Sequence, residues 1–147
     1  MKKKSELGKI KLLLESQMLG VIATDMEGHP YANLVAFAST KELKNIIFAT
    51  SKNTTKYKNI MKNAKISVLI DNRQNTPSDF EKSVSLTAFG EAEEIIMNKN
   101  FYKKLYLKKH PNLMSFVDSS DCALVKIKVD RYQYVNKFQN IINLEMN

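Results

Sequence analysis

Apolar residues along this chain follow two different periods, which separate segments of strand character from segments of helical character. Alternating or continuous β-prone runs predict six strands, over residues 19–24, 31–37, 46–50, 66–70, 83–96 and 122–135. Apolar positions recurring at the helical period predict helices over residues 5–18, 54–62, 98–109 and 111–117. Six strands joined by short turns, with few helices, indicate a mainly β protein built on a small six-stranded antiparallel barrel with flanking helices.

Local signals refine this pattern at several points. Ser5 is predicted to cap the first helix, and residues 25–30 carry the turn chemistry of a hairpin. Gly90, in the middle of the longest predicted strand, predicts a bulge or the close approach of another backbone. Residues 71–82 are polar and include Pro77, which predicts an irregular loop.

Composition limits the class of protein. The 147 residues predict a single domain spanning 1–147, and 44% hydrophobic with 26% charged residues is typical of a globular chain. No apolar run is long enough to cross a bilayer, so we expect no membrane association. The single cysteine, Cys122, excludes an internal disulfide and favours a reducing compartment, with the cytoplasm as the expected location.

The net charge of +8 favours anionic partners, among them nucleic acid, a phosphorylated cofactor or an acidic surface. However, all of the 23 basic residues except Arg73 and Arg131 are lysines, and they are dispersed along the chain. Base readout depends on arginine forks, so nucleic-acid binding rests on charge alone and is not the favoured function.

The joint between the predicted strand 46–50 and the predicted helix 54–62 carries the most informative chemistry. The hydroxyl residues of this joint are Thr50, Ser51, Thr54 and Thr55, and Lys56 follows them. Free N–H groups at a helix N-terminus, hydroxyl donors and a lysine are the groups that hold a phosphate. The alternative is an ordinary N-cap by Thr54 or Ser51, with the lysines on a solvated face. The spacing alone leaves both interpretations open.

An ordered set of segments extends the argument from this joint to nearly the whole chain. The set comprises Leu19-Gly20-Val21-Ile22-Ala23-Thr24, Gly28-His29-Pro30-Tyr31, Phe48-Ala49-Thr50-Ser51, Lys56-Tyr57-Lys58-Asn59-Ile60, Ile66-Ser67-Val68-Leu69-Ile70-Asp71 and Phe89-Gly90-Glu91-Ala92. This set resembles the pyridoxamine 5′-phosphate oxidase-like proteins, which have the FMN-binding split-barrel fold. The end of the chain, from Cys122 to Gln139, is similar to a subgroup of uncharacterised oxidase-related proteins.

The resemblance implies a homodimer that binds FMN in a groove between two subunits and acts as a flavin-dependent oxidoreductase on a small molecule. Three groups of residues are implied at that site. The phosphate would be held by Thr50, Ser51 and Lys56, with Thr54 and Thr55 close by; the backbone of Asn33, Leu34 and Val35 would run beside the isoalloxazine ring; and Ser85 and Thr87 would reach the flavin from the partner subunit. No catalytic residue is indicated.

Departures from the family pattern qualify this expectation. Thr55 stands where an arginine is common, and an arginine is often found near Asn33, so bidentate phosphate recognition is lost. The arginine and histidine that hold the substrate in true vitamin B6 oxidases are missing after Phe138, so we expect no oxidation of pyridoxamine phosphate. The alternative function is therefore a non-catalytic protein that binds flavin, haem or another anionic ligand.

The remaining chemically active side chains predict no metal site. His29 and His110 lie next to prolines and are interpreted as surface turn residues, because no ligand partners stand at metal-binding spacing. Cys122 is interpreted as a buried and inert thiol.

Overall fold

The computed structural model describes residues 2–146, which form one antiparallel sheet with helices around it. The strands are β1 (Leu19–Met26), β2 (His29–Ser39), β3 (Asn45–Ser51), β4 (Lys65–Asp71), β5 (Val84–Glu94), β6 (Cys122–Asn136) and β7 (Asn140–Glu145). The helices are α1 (Lys2–Ser16), α2 (Thr55–Lys62), α3 (Asp79–Lys82), α4 (Lys99–Lys109) and α5 (Met114–Val117), with a 3₁₀ turn at Pro111–Leu113. The first six strands correspond to those predicted from the sequence.

The sheet closes into a barrel through β6. Its strand order is β3-β2-β1-β4-β5-β6-β7, and β3 also pairs with β6. The first half of β6 pairs with β3, from the residue pair Ser51 and Cys122 to the pair Asn45 and Lys128. Its second half pairs with β7. The predicted six-stranded antiparallel barrel is thus confirmed, and β7 is an additional strand that the sequence analysis missed.

Alternate residues of the barrel strands point inward and form the main core. Phe37, Phe48 and Tyr132 are fully buried there, and the Tyr132 hydroxyl donates to the carbonyl of Leu43 (2.7 Å). Helix α1 closes one end of the barrel with Ile10, Leu13 and Leu14. A second, smaller cluster lies outside the barrel, where α4 packs on β2 and β3 through Tyr106. Each large apolar side chain buried in this way stabilises the fold by about 1.5–3 kcal/mol.

The structure corrects two local predictions at the N-terminal end. Helix α1 already includes Lys2, so Ser5 lies within the helix and does not cap it. The hairpin turn is shorter than residues 25–30, because only Glu27 and Gly28 separate β1 from β2. Both have positive φ angles (52° and 87°), which is the geometry of a type I′ turn and matches the twist of paired strands.

The structure also changes the account of two later segments. The predicted loop 71–82 contains the short helix α3. The bulge predicted at Gly90 is confirmed, because the register of β5 with β6 shifts between Phe89 and Gly90. A Cβ atom at Gly90 would lie 2.1 Å from the carbonyl oxygen of Lys128, so this position is also a close approach of two backbones.

Lys109, at the end of α4, connects that helix to α1 and gives a testable pH dependence. Its Nζ donates to the carbonyl of Leu14 (2.8 Å) and lies 3.9 Å from the centre of the Phe37 ring. Burial lowers the pKa of Lys109 from 10.5 to about 8. Between these values the unfolded chain binds the proton and the folded chain does not, so we expect the free energy of unfolding to rise with pH in this interval.

Urea unfolding between about pH 7.5 and pH 9.5 tests this expectation, with Lys109→Met compared with wild type. We expect the rise to be smaller in Lys109→Met, and unchanged in the control Lys108→Met because Lys108 is exposed. The interval stays below the range in which tyrosines titrate. Equal pH dependence in Lys109→Met and wild type would contradict the assignment.

Candidate functional site

The barrel is open between β2 and β3 along part of their length. The two strands pair only where Phe37–Ser39 meet Ile46–Phe48. Beyond that point β2 stays with β1 while β3 stays with β6. We call the resulting opening the seam. It encloses a cavity of about 360 Å³ lined by Leu34, Val35, Ala36, Ala49, Thr50, Ser51, Thr54, Lys56, Tyr106, Leu113 and Phe116.

The free edge of β2 presents backbone donors to the seam. The N–H of Phe37 points toward the β1 side, where it donates to the carbonyl of Met18 (3.4 Å). Because donors alternate along an antiparallel strand, the N–H groups of Leu34 and Ala36 point to the opposite, open edge. The seam is therefore lined by backbone N–H groups at β2 and by hydroxyl groups at β3.

The structure brings together only part of the predicted site. Leu34, Val35, Thr50, Ser51, Thr54 and Lys56 all line the seam. Four other predicted residues, Asn33, Thr55, Ser85 and Thr87, do not line it.

Thr54 caps helix α2. Its Oγ1 accepts the N–H of Tyr57 (3.3 Å), donates to the carbonyl of Ser51 (2.9 Å) and lies 2.9 Å from the Oγ1 of Thr50. The N-cap interpretation is thus confirmed for Thr54. The N–H groups of Thr55 and Lys56, in the first turn, have no acceptor among residues 2–146 and can bind an anion.

A single carboxylate, Glu94, binds the two neighbours of Lys56, Lys52 and Tyr57, and forms no ion pair with Lys56 itself. Lys52 forms an ion pair with Glu94 (3.6 Å), which also accepts the hydroxyl of Tyr57. Within the described part of the chain, no carboxylate pairs with Lys56, and burial lowers its pKa. A lysine that is partly desolvated and lacks a counter-ion favours an anionic ligand.

The hydroxyl of Ser51 is already hydrogen-bonded to a carboxylate, that of Asp121. It donates to Asp121 Oδ2 (3.0 Å), and Ser119 donates to the other oxygen of this carboxylate. These two hydrogen bonds lower the pKa of Asp121, so the group is a stable carboxylate beside the strand end. Lys56 and the free N–H groups are therefore better placed than Ser51 to bind a phosphate.

Asn33 lies beside the seam but on the inner face of the sheet, opposite Ile22. Its Oδ1 is buried and has no hydrogen-bond donor among residues 2–146. A buried carbonyl without a partner costs about 1–3 kcal/mol, so this oxygen is suited to accept a hydrogen bond from a water molecule or from a ligand.

Ser85 and Thr87 lie on the outer surface of β5, away from the seam of their own protomer. The sheet register connects Thr87 to Leu69, then to Val21, and finally to Leu34 at the seam. Three strand spacings of about 4.8 Å separate the two ends, or about 14 Å. This distance is too long for a serine or threonine side chain, so these residues can reach a seam only if it belongs to a second protomer.

The sequence analysis missed the wall that α4 and α5 contribute to the seam. Tyr106 is 1% exposed, and its hydroxyl donates to the carbonyl of Ala36 (3.0 Å), while burial raises its pKa to about 12. Leu113 and Phe116 complete this wall. The apolar face of residues 98–109 was visible in the sequence, but the strands that it covers were not.

The predictions for the other reactive side chains were partly right. Cys122 is buried, as expected, and its pKa is raised by burial. His29 is exposed, as expected, but the prediction for His110 was wrong. His110 is buried, and its Nε2–H donates to the carbonyl of Phe37 (2.7 Å) because α4 ends against β2.

Residues 2–146 contain neither a cluster suited to a metal ion nor a helix suited to a bilayer. No group of three or more histidine, cysteine, aspartate or glutamate residues is arranged to hold a metal ion within these residues. No helix in the same range has the length and apolar character that crossing a bilayer requires.

A six-stranded antiparallel barrel in which two neighbouring strands, here β2 and β3, separate along part of their length is a split β-barrel. A family model described as pyridoxamine 5′-phosphate oxidase matches residues 7–136. The chain therefore belongs to the pyridoxamine 5′-phosphate oxidase family. No curated protein matches the sequence.

Solved structures with the same fold bind different cofactors. A haem-binding protein from Mycobacterium smegmatis has 18% identity and a TM-score of 0.80, over 90% of this chain and 55% of that protein. A protein related to general stress protein 26 from Clostridium acetobutylicum has 18% identity and a TM-score of 0.76, over 99% and 97% of the two chains. An FAD-binding protein from Mesorhizobium loti has 13% identity and a TM-score of 0.69, over 86% and 91%.

These similarities establish the fold alone. This chain spans about half of the haem-binding protein that it matches, with 55% of that chain covered. Since one relative is named for haem and another for FAD, the fold leaves the cofactor open, and only the residues of this seam can favour one.

Proposed function

We propose that the protein is a cytoplasmic homodimeric flavoprotein, which binds FMN in the seam and acts as an oxidoreductase on a small molecule. The observation that carries this proposal is the unpaired Lys56 at the end of the seam, next to the free N–H groups of Thr55 and Lys56. A cation beside the start of a helix is suited to a phosphate monoester. Membership of the pyridoxamine 5′-phosphate oxidase family supports a flavin as the molecule to which this phosphate is attached.

The rest of the seam is suited to a flat ring. The N–H groups of Leu34 and Ala36 face the open edge of β2, and Leu113 and Phe116 provide an apolar wall opposite. FMN supplies hydride or electron transfer at its ring when it is bound. The chain itself binds the phosphate at Lys56, orients the ring along β2 and excludes water with Phe116.

The outer surface of the sheet supports the proposed dimer. Across β2, β1, β4 and β5, two neighbouring rows carry no charged side chain: Leu34, Val21, Leu69 and Thr87, and Ala32, Ala23, Ser67 and Phe89. Arg131 of β6 lies over Phe89 at the end of the second row. Leu34 is 62% exposed, so this apolar surface begins at the seam. In a twofold dimer this surface of one subunit would pack against the same surface of the other. That packing would bring Ser85 and Thr87 of the partner subunit to the seam.

Titration with FMN and with riboflavin tests the cofactor assignment. Riboflavin lacks the phosphate, so we expect FMN to bind at least about tenfold more tightly, which corresponds to one charge-assisted hydrogen bond. Absorption spectra and quenching of flavin fluorescence measure the binding, and sedimentation measures the oligomeric state. A protein that binds neither flavin, or a monomer at the concentrations used, would contradict the proposal.

A haem-binding function is the second candidate, supported by the similarity to the mycobacterial haem-binding protein. However, among residues 2–146, those that line the seam include no histidine, cysteine or methionine, which are common axial ligands of haem iron. Tyr106 is the remaining candidate, and its hydroxyl is held by Ala36 with its pKa raised to about 12. The lining therefore favours the flavin.

The reaction of bound flavin separates an oxidoreductase from a storage or sensing protein. We expect NADH or NADPH to bleach the absorption of the flavin under anaerobic conditions, and air to restore it. Flavin that is bound but stays oxidised with both donors would favour the non-catalytic alternative.

Pyridoxamine phosphate is expected not to be a substrate. β7 (Asn140–Glu145) follows Phe138, and residues 137–147 contain neither the arginine nor the histidine that would hold this substrate. We expect FMN-loaded protein to form no hydrogen peroxide from pyridoxamine phosphate above the blank in air. Steady peroxide production from this substrate would show the prediction to be wrong.

A further inference from the structure

A second and larger cavity lies at the ends of β4 and β5, outside the seam of the same protomer. Its volume is about 570 Å³. Most of its wall is apolar, and its lining includes Asp71, Arg73, Asp79, Phe80, Ser85 and Phe138. We call it the loop pocket. The proposed flavin site uses only Ser85 from this set.

The mouth of the loop pocket is formed by two exposed aromatic rings that contact each other. Phe80 is 69% exposed and Phe138 is 62% exposed, and their ring centres lie 5.6 Å apart at 40°. A flat ligand in the cavity would bury part of both rings. Exposed aromatic rings next to an apolar cavity are typical of sites for small flat molecules.

The turn that carries Phe138 is held in an unfavourable backbone conformation. Lys137 and Phe138 have φ angles of 50° and 59°, and the N–H of Gln139 donates to the carbonyl of Asn136 (3.2 Å). Such a turn favours asparagine followed by glycine, and a bulky aromatic residue is disfavoured there. The turn geometry therefore does not favour phenylalanine at this position, and its ring instead contacts Phe80 at the pocket.

The loop on the other side of the pocket is kept rigid by Asp79. Its carboxylate accepts the backbone N–H groups of Gln74 (3.0 Å), Asn75 (2.7 Å) and Thr76 (3.3 Å). These bonds lower the pKa of Asp79 and compensate its negative charge. The pocket is thus formed before any ligand binds.

Arg73 provides a cation at the wall of the pocket. Its guanidinium forms an ion pair with Asp71, in which Nε lies 3.0 Å from Oδ2, while its two terminal nitrogens have no acceptor among residues 2–146. Two parallel N–H groups of a guanidinium match the two oxygens of a carboxylate. We propose that the loop pocket binds a planar aromatic acid, whose ring packs against Phe80 and Phe138 and whose carboxylate binds Arg73.

Ser85 relates this pocket to the seam. Because Ser85 lines the pocket and is also proposed to reach the seam of the partner subunit, the aromatic acid would lie beside the flavin of the dimer. This placement, which makes the acid a candidate substrate, rests on the proposed function. Binding of the acid to the pocket does not depend on it.

Fluorescence anisotropy of 2-naphthoate tests the proposal, since the chain has no tryptophan to interfere. We expect Phe138→Asn to weaken binding at least about tenfold while leaving the unfolding midpoint unchanged or higher, because asparagine suits the turn. Phe101→Ala, which removes a ring that is 60% exposed on α4, is the matched control and should bind as wild type does.

Arg73→Gln tests the carboxylate contact separately. We expect it to weaken binding of 2-naphthoate about tenfold and to leave binding of the neutral 2-naphthalenemethanol unchanged. Wild-type protein that fails to bind 2-naphthoate at millimolar concentration, or equal binding by wild type and Phe138→Asn, would overturn the proposal. Equal loss of both probes in Arg73→Gln would overturn the carboxylate contact.

The same samples, titrated with FMN, separate this proposal from the flavin assignment. Tight FMN binding without 2-naphthoate binding would reject the loop pocket and leave the flavin site standing. Binding of 2-naphthoate that depends on Phe138, in protein that does not bind FMN, would support the pocket and reject the flavin site.

Discussion

Gly90→Ala is expected to prevent folding of the barrel or to destabilise it severely. A Cβ atom at this position would lie 2.1 Å from the carbonyl oxygen and 2.9 Å from the carbonyl carbon of Lys128. Both are backbone atoms of β6, so no side chain can turn aside to make room. Overpacking usually costs about 1–3 kcal/mol, and we expect more here because two paired strands would have to separate.

Circular dichroism during urea or thermal unfolding measures this effect. Gly8→Ala is the matched control, since a Cβ atom at Gly8 meets nothing within 4 Å and the residue is exposed on α1. We expect this control to raise the free energy of unfolding by up to about 1 kcal/mol, the usual gain of alanine over glycine in a helix. A soluble Gly90→Ala variant with the unfolding midpoint of wild type would refute the assignment.

Lys56→Met is expected to weaken FMN binding about ten- to a hundredfold while leaving riboflavin binding nearly unchanged. Lys56 lines the seam and has no carboxylate partner within residues 2–146, so its ammonium group is available to the phosphate. A hydrogen bond to a charged group contributes about 1.5–3 kcal/mol, which sets the size of the effect. Methionine keeps most of the length of the side chain and removes only the charge.

Lys58→Met provides the control for a general effect of positive charge. Lys58 lies on the same helix, is exposed and does not line the seam. We expect this variant to bind FMN nearly as tightly as wild type does. Equal losses in Lys56→Met and Lys58→Met would show that net charge alone attracts the phosphate, and loss of riboflavin binding in Lys56→Met would place the lysine at the ring.

The barrel strands could be predicted because the inward face of each strand repeats every second residue. The segment Ile66–Ile70 alternates in this way, and it forms the centre of β4. Strand β7 was missed because its inward and outward positions are both mixed, with Asn140 and Ile141 exposed and only Leu144 buried. Its pairing with β6, and not its own composition, makes it a strand.

The candidate site was predictable only where it is local in sequence. Four residues of the site lie close together in the sequence, namely Thr50, Ser51, Thr54 and Lys56. They meet at the seam because β3 ends and α2 begins within this short segment. Tyr106 lies at least fifty residues further along the chain and reaches the seam because α4 packs on β2. No local signal in residues 98–109 indicates that contact.

The sequence by itself determined the six barrel strands, the joint at Lys56 and the family, because these depend on periodicity and on short ordered motifs. Only the tertiary structure decided where the barrel opens, which charges are already paired, and that Phe80 and Phe138 meet at one pocket. The physical reason is that burial, pairing and cavity shape are set by residues far apart in the chain, whose contacts no local pattern encodes.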